Sequence, residues 1–349
     1  MTIGKIFAID LHGGGSRGIL QAAILKNINN IFFQKTGGLS MNKYITHAGG
    51  VSIGTVNLMN LLKYDDTKEL VNFYLNHINK VLIPYGYSKG VFQAKYSDIN
   101  IANLLKEQFE DVTFANLQSK AKILLSSFNT HYNSQTLWSN FGTEEMRKLH
   151  PGYVWNINDY RVADAMKASM SVPGIFNAHM MEYSKLNVDH SVILRQCMYE
   201  IDGGVLFNTT LPHLLHGIEC IEERSLKDVF VLSIGCGELN VDLSHLYNSG
   251  LINYGKNAPE ALATWKNAQD SNLIYNTLTR LKYAGGKGIL INPLISKDDY
   301  FNFLNDDKAT LEGFVEIADN YCELNKDEFN ILVDQLIEHL GLENYTMGY

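Results

Sequence analysis

Gly50-Val51-Ser52-Ile53-Gly54 sits between an apolar run, Tyr44–Gly50, and a helical pattern from about Gly54 to Lys63. A G-x-S-x-G pattern in that strand–turn–helix context predicts a sharp turn that lifts a serine hydroxyl off the edge of a sheet. Small residues on either side of Ser52 avoid clashes in the bend. The N-terminus of the following helix directs its partial positive charge to the same place. The pattern also arises by chance, so the flanking elements carry the reading. Upstream, Lys5–Asp10 reads as a strand, followed by a Gly-rich turn and a helix through Ile19, Ala23, Ile24, Ile28 and Ile31. Downstream, Lys120–Asn129 and Asp228–Ile234 are continuous apolar runs bounded by polar residues, the pattern of buried strands. Helical patterns recur at Val162–Ala168, Pro259–Leu281, Leu311–Glu323 and Glu328–Leu340. Alternation of this kind predicts an α/β fold with a mainly parallel sheet. No repeat or low-complexity linker divides the chain, so one domain is expected over residues 1–349. Ile83–Asp98 and His179–Tyr199 are read as excursions from the sheet.

Composition narrows the function. The 349 residues carry 29 basic and 37 acidic side chains, a formal charge of −8, which disfavours nucleic acid and strong attraction to anionic lipid. Hydrophobic residues at 46 % and charged residues at 19 % suit a large core and disfavour a disordered chain. Cys197, Cys220, Cys236 and Cys322 follow no metal-ligand spacing and are expected to be free thiols in a reducing compartment. The first apolar run stops at Asp10, too short for a secretory leader, and no stretch reaches the ~18 apolar residues of a membrane span. A cytoplasmic protein is expected, with leaderless export as the alternative.

Two more motifs carry candidate chemistry. Gly13-Gly14-Gly15-Ser16-Arg17-Gly18 follows the first strand, where bare N–H groups can meet an anion at a helix N-terminus. Three readings stand open: a dinucleotide loop, an oxyanion hole, and a tight turn without a ligand. The dinucleotide reading lacks the acidic residue expected about 20 positions on. Asp202-Gly203-Gly204 follows the apolar run Met198–Ile201. A serine needs a base to become nucleophilic, and none of the eleven His stands in an obvious loop after a C-terminal strand. A partly desolvated Asp202 would have a raised pKa suited to taking the Ser52 proton directly. The other reading of Asp202 is an Asx-turn at a strand end.

In order, these three motifs resemble the patatin-like phospholipases, acyl hydrolases that use a Ser–Asp dyad. The likeness extends to Ala165–Phe176 (AMKASMSVPGIF), to Asn208 after the Asp motif, to Val231–Gly237 (VLSIGCG) and to Ile289–Asp307, nearly the whole chain. The resemblance implies a three-layer α/β/α fold and hydrolysis of fatty-acyl esters in membrane phospholipid or lysophospholipid, with transient contact at the membrane surface. It implies Ser52 as nucleophile, Asp202 as base and the Gly13, Gly14 and Gly15 loop as oxyanion hole, with Arg17 stiffening or supporting it. No cofactor or metal is required by that chemistry. A second messenger or protein activator, known for some bacterial relatives, cannot be read from these residues.

Two departures stand out. His12 occupies the position where the family usually has Asp, with Asp10 two residues earlier, and Thr209-Thr210 replaces a common Asn-Pro. His12 is read as filling a polar slot, tuning the hole or assisting as a base. His47 is expected in the core. His179, Met180 and Met181, and likewise Tyr85, Tyr87 and Phe92, are candidates for an apolar rim or lid. Asp306-Asp307 reads as a solvated helix start. The alternatives are an esterase or transacylase with the same dyad acting on a non-membrane acyl substrate, and a nucleotide-binding signalling module using the Gly-rich loop.

Overall fold

The computed structural model describes residues 4–63, 67–82, 94–117, 119–141, 154–156, 160–186, 192–239, 251–301 and 304–343. Strand β1 (Ile6–Leu11) runs parallel to β2 (His47–Val51) on one side. The chain then forms β3 (Lys122–Asn129), β4 (Ser134–Ser139), β5 (Val154–Asn156), β6 (His179–Leu186), β7 (Val192–Asp202), β8 (Val229–Ile234), β9 (Glu238–Leu239), β10 (Lys287–Ile291) and β11 (Leu294–Ile295). The main sheet is ordered β10-β8-β1-β2-β3-β4-β5, with β6 and β7 joined to it through β3. From β10 to β3 all neighbours are parallel, and β4 turns antiparallel to β3.

The helices are α1 (Gly18–Lys35), α2 (Ile53–Lys63), α3 (Lys68–Val81), α4 (Ile99–Phe109), α5 (Val162–Ser169), α6 (Leu211–His216), α7 (Leu251–Tyr283), α8 (Lys297–Phe301), α9 (Lys308–Leu324) and α10 (Lys326–Leu340). The pleat of β1 sorts them into two layers. Phe7, Ile9 and Leu11 pack in one apolar cluster with residues of α1, α2, α9 and α10. Ile6 and Ala8 face a second cluster containing Leu211, Leu214 and Leu215 of α6 and Ile274 and Leu281 of α7. A strand covered on both faces has to be apolar throughout, which is why β1 and β8 read as unbroken hydrophobic runs. The three-layer α/β/α arrangement with a mainly parallel sheet follows.

Two stretches differ from the sequence reading. His179–Tyr199 is not wholly an excursion: β6 and β7 form an antiparallel ribbon whose last residues rejoin the sheet on β3. Strand β4 (SQTLWS) has no apolar signature, because Gln135 and Thr136 are buried through hydrogen bonds rather than packing. Among the described residues no helix is long and apolar enough to cross a membrane.

Candidate active site

Strand β3 sets the site. Its residue Ser126 pairs with Val51, the last residue of the parallel strand β2. Its next residue, Ser127, pairs with Asp202, the last residue of the antiparallel strand β7. Two strands approaching from opposite directions thus end on neighbouring positions of one β3 edge, and residues adjacent along a strand are only ~3.3 Å apart. The turn carrying Ser52 and the carboxylate of Asp202 converge there.

Ser52 has φ +53°, a left-handed conformation unusual for a side-chain-bearing residue. Such strain persists only where the surroundings impose it, at a cost of roughly 1–3 kcal/mol. Here its N–H donates to Ser169 Oγ at 2.8 Å, and its carbonyl accepts the N–H and hydroxyl of Thr55 at 2.9 and 2.7 Å at the start of α2. Gly54 is required by close approach, since a Cβ there would strike the Leu11 carbonyl. Asp202 is held by its N–H to the Ser171 carbonyl at 3.0 Å and by Gly204 N–H to its Oδ1 at 2.7 Å. The segment Ala165–Phe176 therefore anchors both residues, one through Ser169 and one through Ser171. Burial pushes the Asp202 carboxyl up to about 6, against the pull of the Ser52 hydroxyl, the Gly204 N–H and the Lys266 charge. Its Oδ2 has no hydrogen bond of ordinary geometry among the described residues.

Ser52, Asp202 and the loop Gly13–Arg17 line one cavity of about 370 Å³. Its apolar part is made by Ile78, Val81 and Leu82 after β2, Ile101 of α4, and Met170 and Phe176 after α5. A pocket of that size and lining, with a few convergent polar groups, has the character of a small-molecule site. At its polar end stand Arg17, Lys266, Asn267, Asp270 and Tyr300.

The Gly-rich loop is clamped by Asn208, which accepts the Gly13 N–H at 2.9 Å and donates to the Gly13 carbonyl at 3.0 Å. The Gly13 N–H, expected in the anion hole, is thereby already engaged. Arg17 donates to the Gly237 carbonyl at 3.2 Å and lies 4.1 Å from the centre of the Tyr300 ring, stacked on it as a cation on an aromatic face. His12 does not line the cavity: its Nε2 meets Asp10 Oδ2 at 3.1 Å and Ser233 Oγ at 2.8 Å. Asp10 also accepts from Thr209 Oγ1, Thr210 N–H and Thr210 Oγ1, at 2.6, 3.0 and 2.7 Å. These bonds and His12 hold the Asp10 carboxyl below its ordinary range in spite of burial. The two departures from the family pattern are thus one feature, a buried polar cluster beneath the loop.

Of the other candidates, His47 is buried against Glu222 at 3.1 Å. Met180 and Met181 sit on β6, one exposed and one buried, and neither lines the cavity. Asp307 caps α9 through Thr310 N–H at 2.9 Å. Tyr85, Tyr87 and Phe92 lie outside the described residues. Among the described residues no three His, Cys, Asp or Glu side chains are grouped to hold a metal ion. The sequence reading missed the roles of Ser169, Ser171, Lys266 and Asp270. For the two serines the signal was present, as small residues inside a segment already marked as family-like.

A strained serine and a desolvated carboxylate thus stand at the ends of two strands, over a glycine-rich turn in a three-layer α/β/α fold. The family described as "Patatin-like phospholipase" matches residues 11–215, and the chain belongs to it. It is similar to "Patatin-like protein 7" of Arabidopsis thaliana, 24 % identical over 265 residues, covering 70 % of this chain and 50 % of that protein. The chain thus spans about half the length of that curated relative. Solved structures similar to it include human GIVD cytosolic phospholipase A2 (TM-score 0.48, 11 % identity, 96 % of this chain and 60 % of that one). Another is VipD from Legionella pneumophila (TM-score 0.37, 12 % identity, 91 % of this chain and 67 % of that one).

Proposed function

We propose that this chain is a lipid acyl hydrolase that cleaves fatty-acyl esters of phospholipids or lysophospholipids, and that residues 1–349 form one acyl-hydrolase domain. Ser52 Oγ attacks the ester carbonyl as its proton passes to Asp202. The carbonyl π electrons move onto oxygen, and the Gly14 and Gly15 N–H groups receive the developing charge. Gly13 acts through its carbonyl and N–H as an anchor for that loop, and Arg17 stiffens it. The C–O bond to the lysolipid or glycerol portion then breaks, and the leaving oxygen takes the proton from Asp202. Asp202 next removes a proton from water, whose oxygen attacks the acyl-serine. The fatty acid departs, and Ser52 recovers its proton.

The meeting of β2 and β7 on one edge of β3, which brings Ser52 and Asp202 into one apolar-walled cavity, is the observation that carries this reading. A carboxyl near 6 is mostly ionised at neutral pH yet basic enough to accept a proton in the transition state. Membrane contact would be transient. Ser52→Ala should abolish release of fatty acid from a fluorogenic phospholipid while the protein melts normally, and a fluorophosphonate should label Ser52. Turnover retained in Ser52→Ala, or label on another residue, would remove Ser52 from the scheme. Activity on short soluble esters but none on vesicles would point to a non-membrane acyl substrate.

A further inference from the structure

Lys266 and Asp270 stand one turn apart on α7, beyond the stretch that matches the family. Lys266 Nζ bonds both carboxylate oxygens of Asp270 at 2.8 Å and donates to the Leu206 carbonyl at 3.1 Å. Leu206 closes the short turn that Asp202 begins. Asp270 Oδ1 accepts the backbone N–H of Asn208 at 3.3 Å, and the Asn208 side chain clamps Gly13. One ion pair therefore touches both halves of the site, the base and the Gly-rich loop. An exposed i,i+4 pair contributes little, but this one lines the cavity, with side chains 29 % and 10 % exposed.

We propose that Lys266 and Asp270 are positioning residues for the hydrolysis proposed above. Lys266 fixes the Asp202 turn and keeps a cation opposite the base, while Asp270 fixes Asn208 and, through it, the Gly-rich loop. The inference rests on the Ser52–Asp202 reading. Among the described residues, the charged groups sharing the cavity with Asp202 are Lys266 and Asp270 from α7 and Arg17 from the loop. From β3 it pairs with Ser127, and after α5 it meets the Ser171 carbonyl. Glu200, two residues earlier on β7, is enclosed by Ser127, Asn129, Thr136 and Tyr183. The Lys266 charge opposes the effect of burial on the Asp202 carboxyl.

The test is kcat/KM against pH for the full chain on a fluorogenic phospholipid in mixed micelles, with melting temperatures alongside. Lys266→Met should reduce kcat/KM at pH 7 by about 100-fold, the scale of a ~1 Å misplacement. It should also move the acid limb to higher pH, because the base loses its cation. Asp270→Asn leaves Lys266 unneutralised and should move that limb to lower pH. Lys266→Arg should restore the wild-type limb. Should Lys266→Met fail to fold, Asp270→Asn and Lys266→Arg still carry the test. A merely structural pair would shift the acid limb of Lys266→Met and of Asp270→Asn the same way or not at all, and either result in folded variants overturns the proposal. Turnover by Ser52→Ala in the same assay would instead remove the reading on which it rests.

Discussion

Ser169 Oγ bridges Ser52 and the sheet: it accepts the Ser52 N–H at 2.8 Å and donates to the Ser126 carbonyl at 2.5 Å. The bridge replaces the ladder bond that β2 loses where it leaves β3, and it holds Ser52 in its left-handed conformation. Ser169→Ala should leave a buried N–H unpaired, at a cost of about 1–3 kcal/mol in urea unfolding. It should also lower kcat more than it changes KM. An unchanged midpoint and unchanged kcat would show that the bridge is idle.

Asp202 should place conflicting demands on stability and activity. Its carboxyl is raised from 3.8 to about 6 in the fold. A carboxylate raised in this way destabilises the native state above about pH 6, progressively less between there and 3.8, and not at all below 3.8. Asp202→Asn should therefore be inactive yet more stable at neutral pH, by up to about 3 kcal/mol at 1.36 kcal/mol per unit. The gain should fade below pH 4 or so. Equal stability of the two proteins at pH 7 and pH 4 would contradict the assignment.

The rate itself should follow the same group. As the base must be ionised to act, kcat/KM should rise with pH through a midpoint near 6. A profile flat from pH 5 to pH 8 would show that another group limits proton removal.

Gly14 packs without a side chain against Cys236, and a Cβ there would overlap the Cys236 Cβ. Gly14→Ala should displace the loop and reduce kcat about 10²–10³-fold, as losing an oxyanion donor does. Removing the opposing carbon as well, in Gly14→Ala with Cys236→Gly, should recover part of the rate. Absence of any recovery would argue that the loop tolerates no Cβ for reasons other than this contact.

The Asp10 cluster beneath the loop should be structural. Asp10→Ala strips the acceptor from His12, Thr209, Thr210 and Ser233, each left buried at about 1–3 kcal/mol if unpaired. Its depressed pKa adds stability above its ordinary value of 3.8, lost as pH falls below it. Acid unfolding of the wild type should accordingly steepen below pH 4, and Asp10→Asn should blunt it.

Much of this was legible in the chain. The apolar runs that became β1, β2, β3 and β8, the helices α1, α2, α5, α9 and α10, and the residues Ser52, Asp202 and Gly13–Gly18 were all marked by local pattern. Strand β4 was not, because its buried polar residues are satisfied by distant partners such as Glu200 and Ser126. Helices α3 and α4, which supply Ile78 and Ile101 to the cavity wall, do carry helical spacing of buried apolar residues (Leu70, Phe73, Tyr74 and Ile78; Ile101, Leu105 and Phe109), a local signal the sequence reading passed over.

By itself the sequence determined the βα alternation, the strained serine turn, and the order of the three motifs, since each depends on residues a few positions apart. Only the tertiary structure decided that β7 enters antiparallel and ends on Ser127 beside the end of β2, that Asn208 takes the Gly13 N–H, and that Lys266 and Asp270 brace the site from α7. Strand register and helix placement are chosen by contacts between segments far apart in the chain, and their energies leave no periodic trace in any one segment.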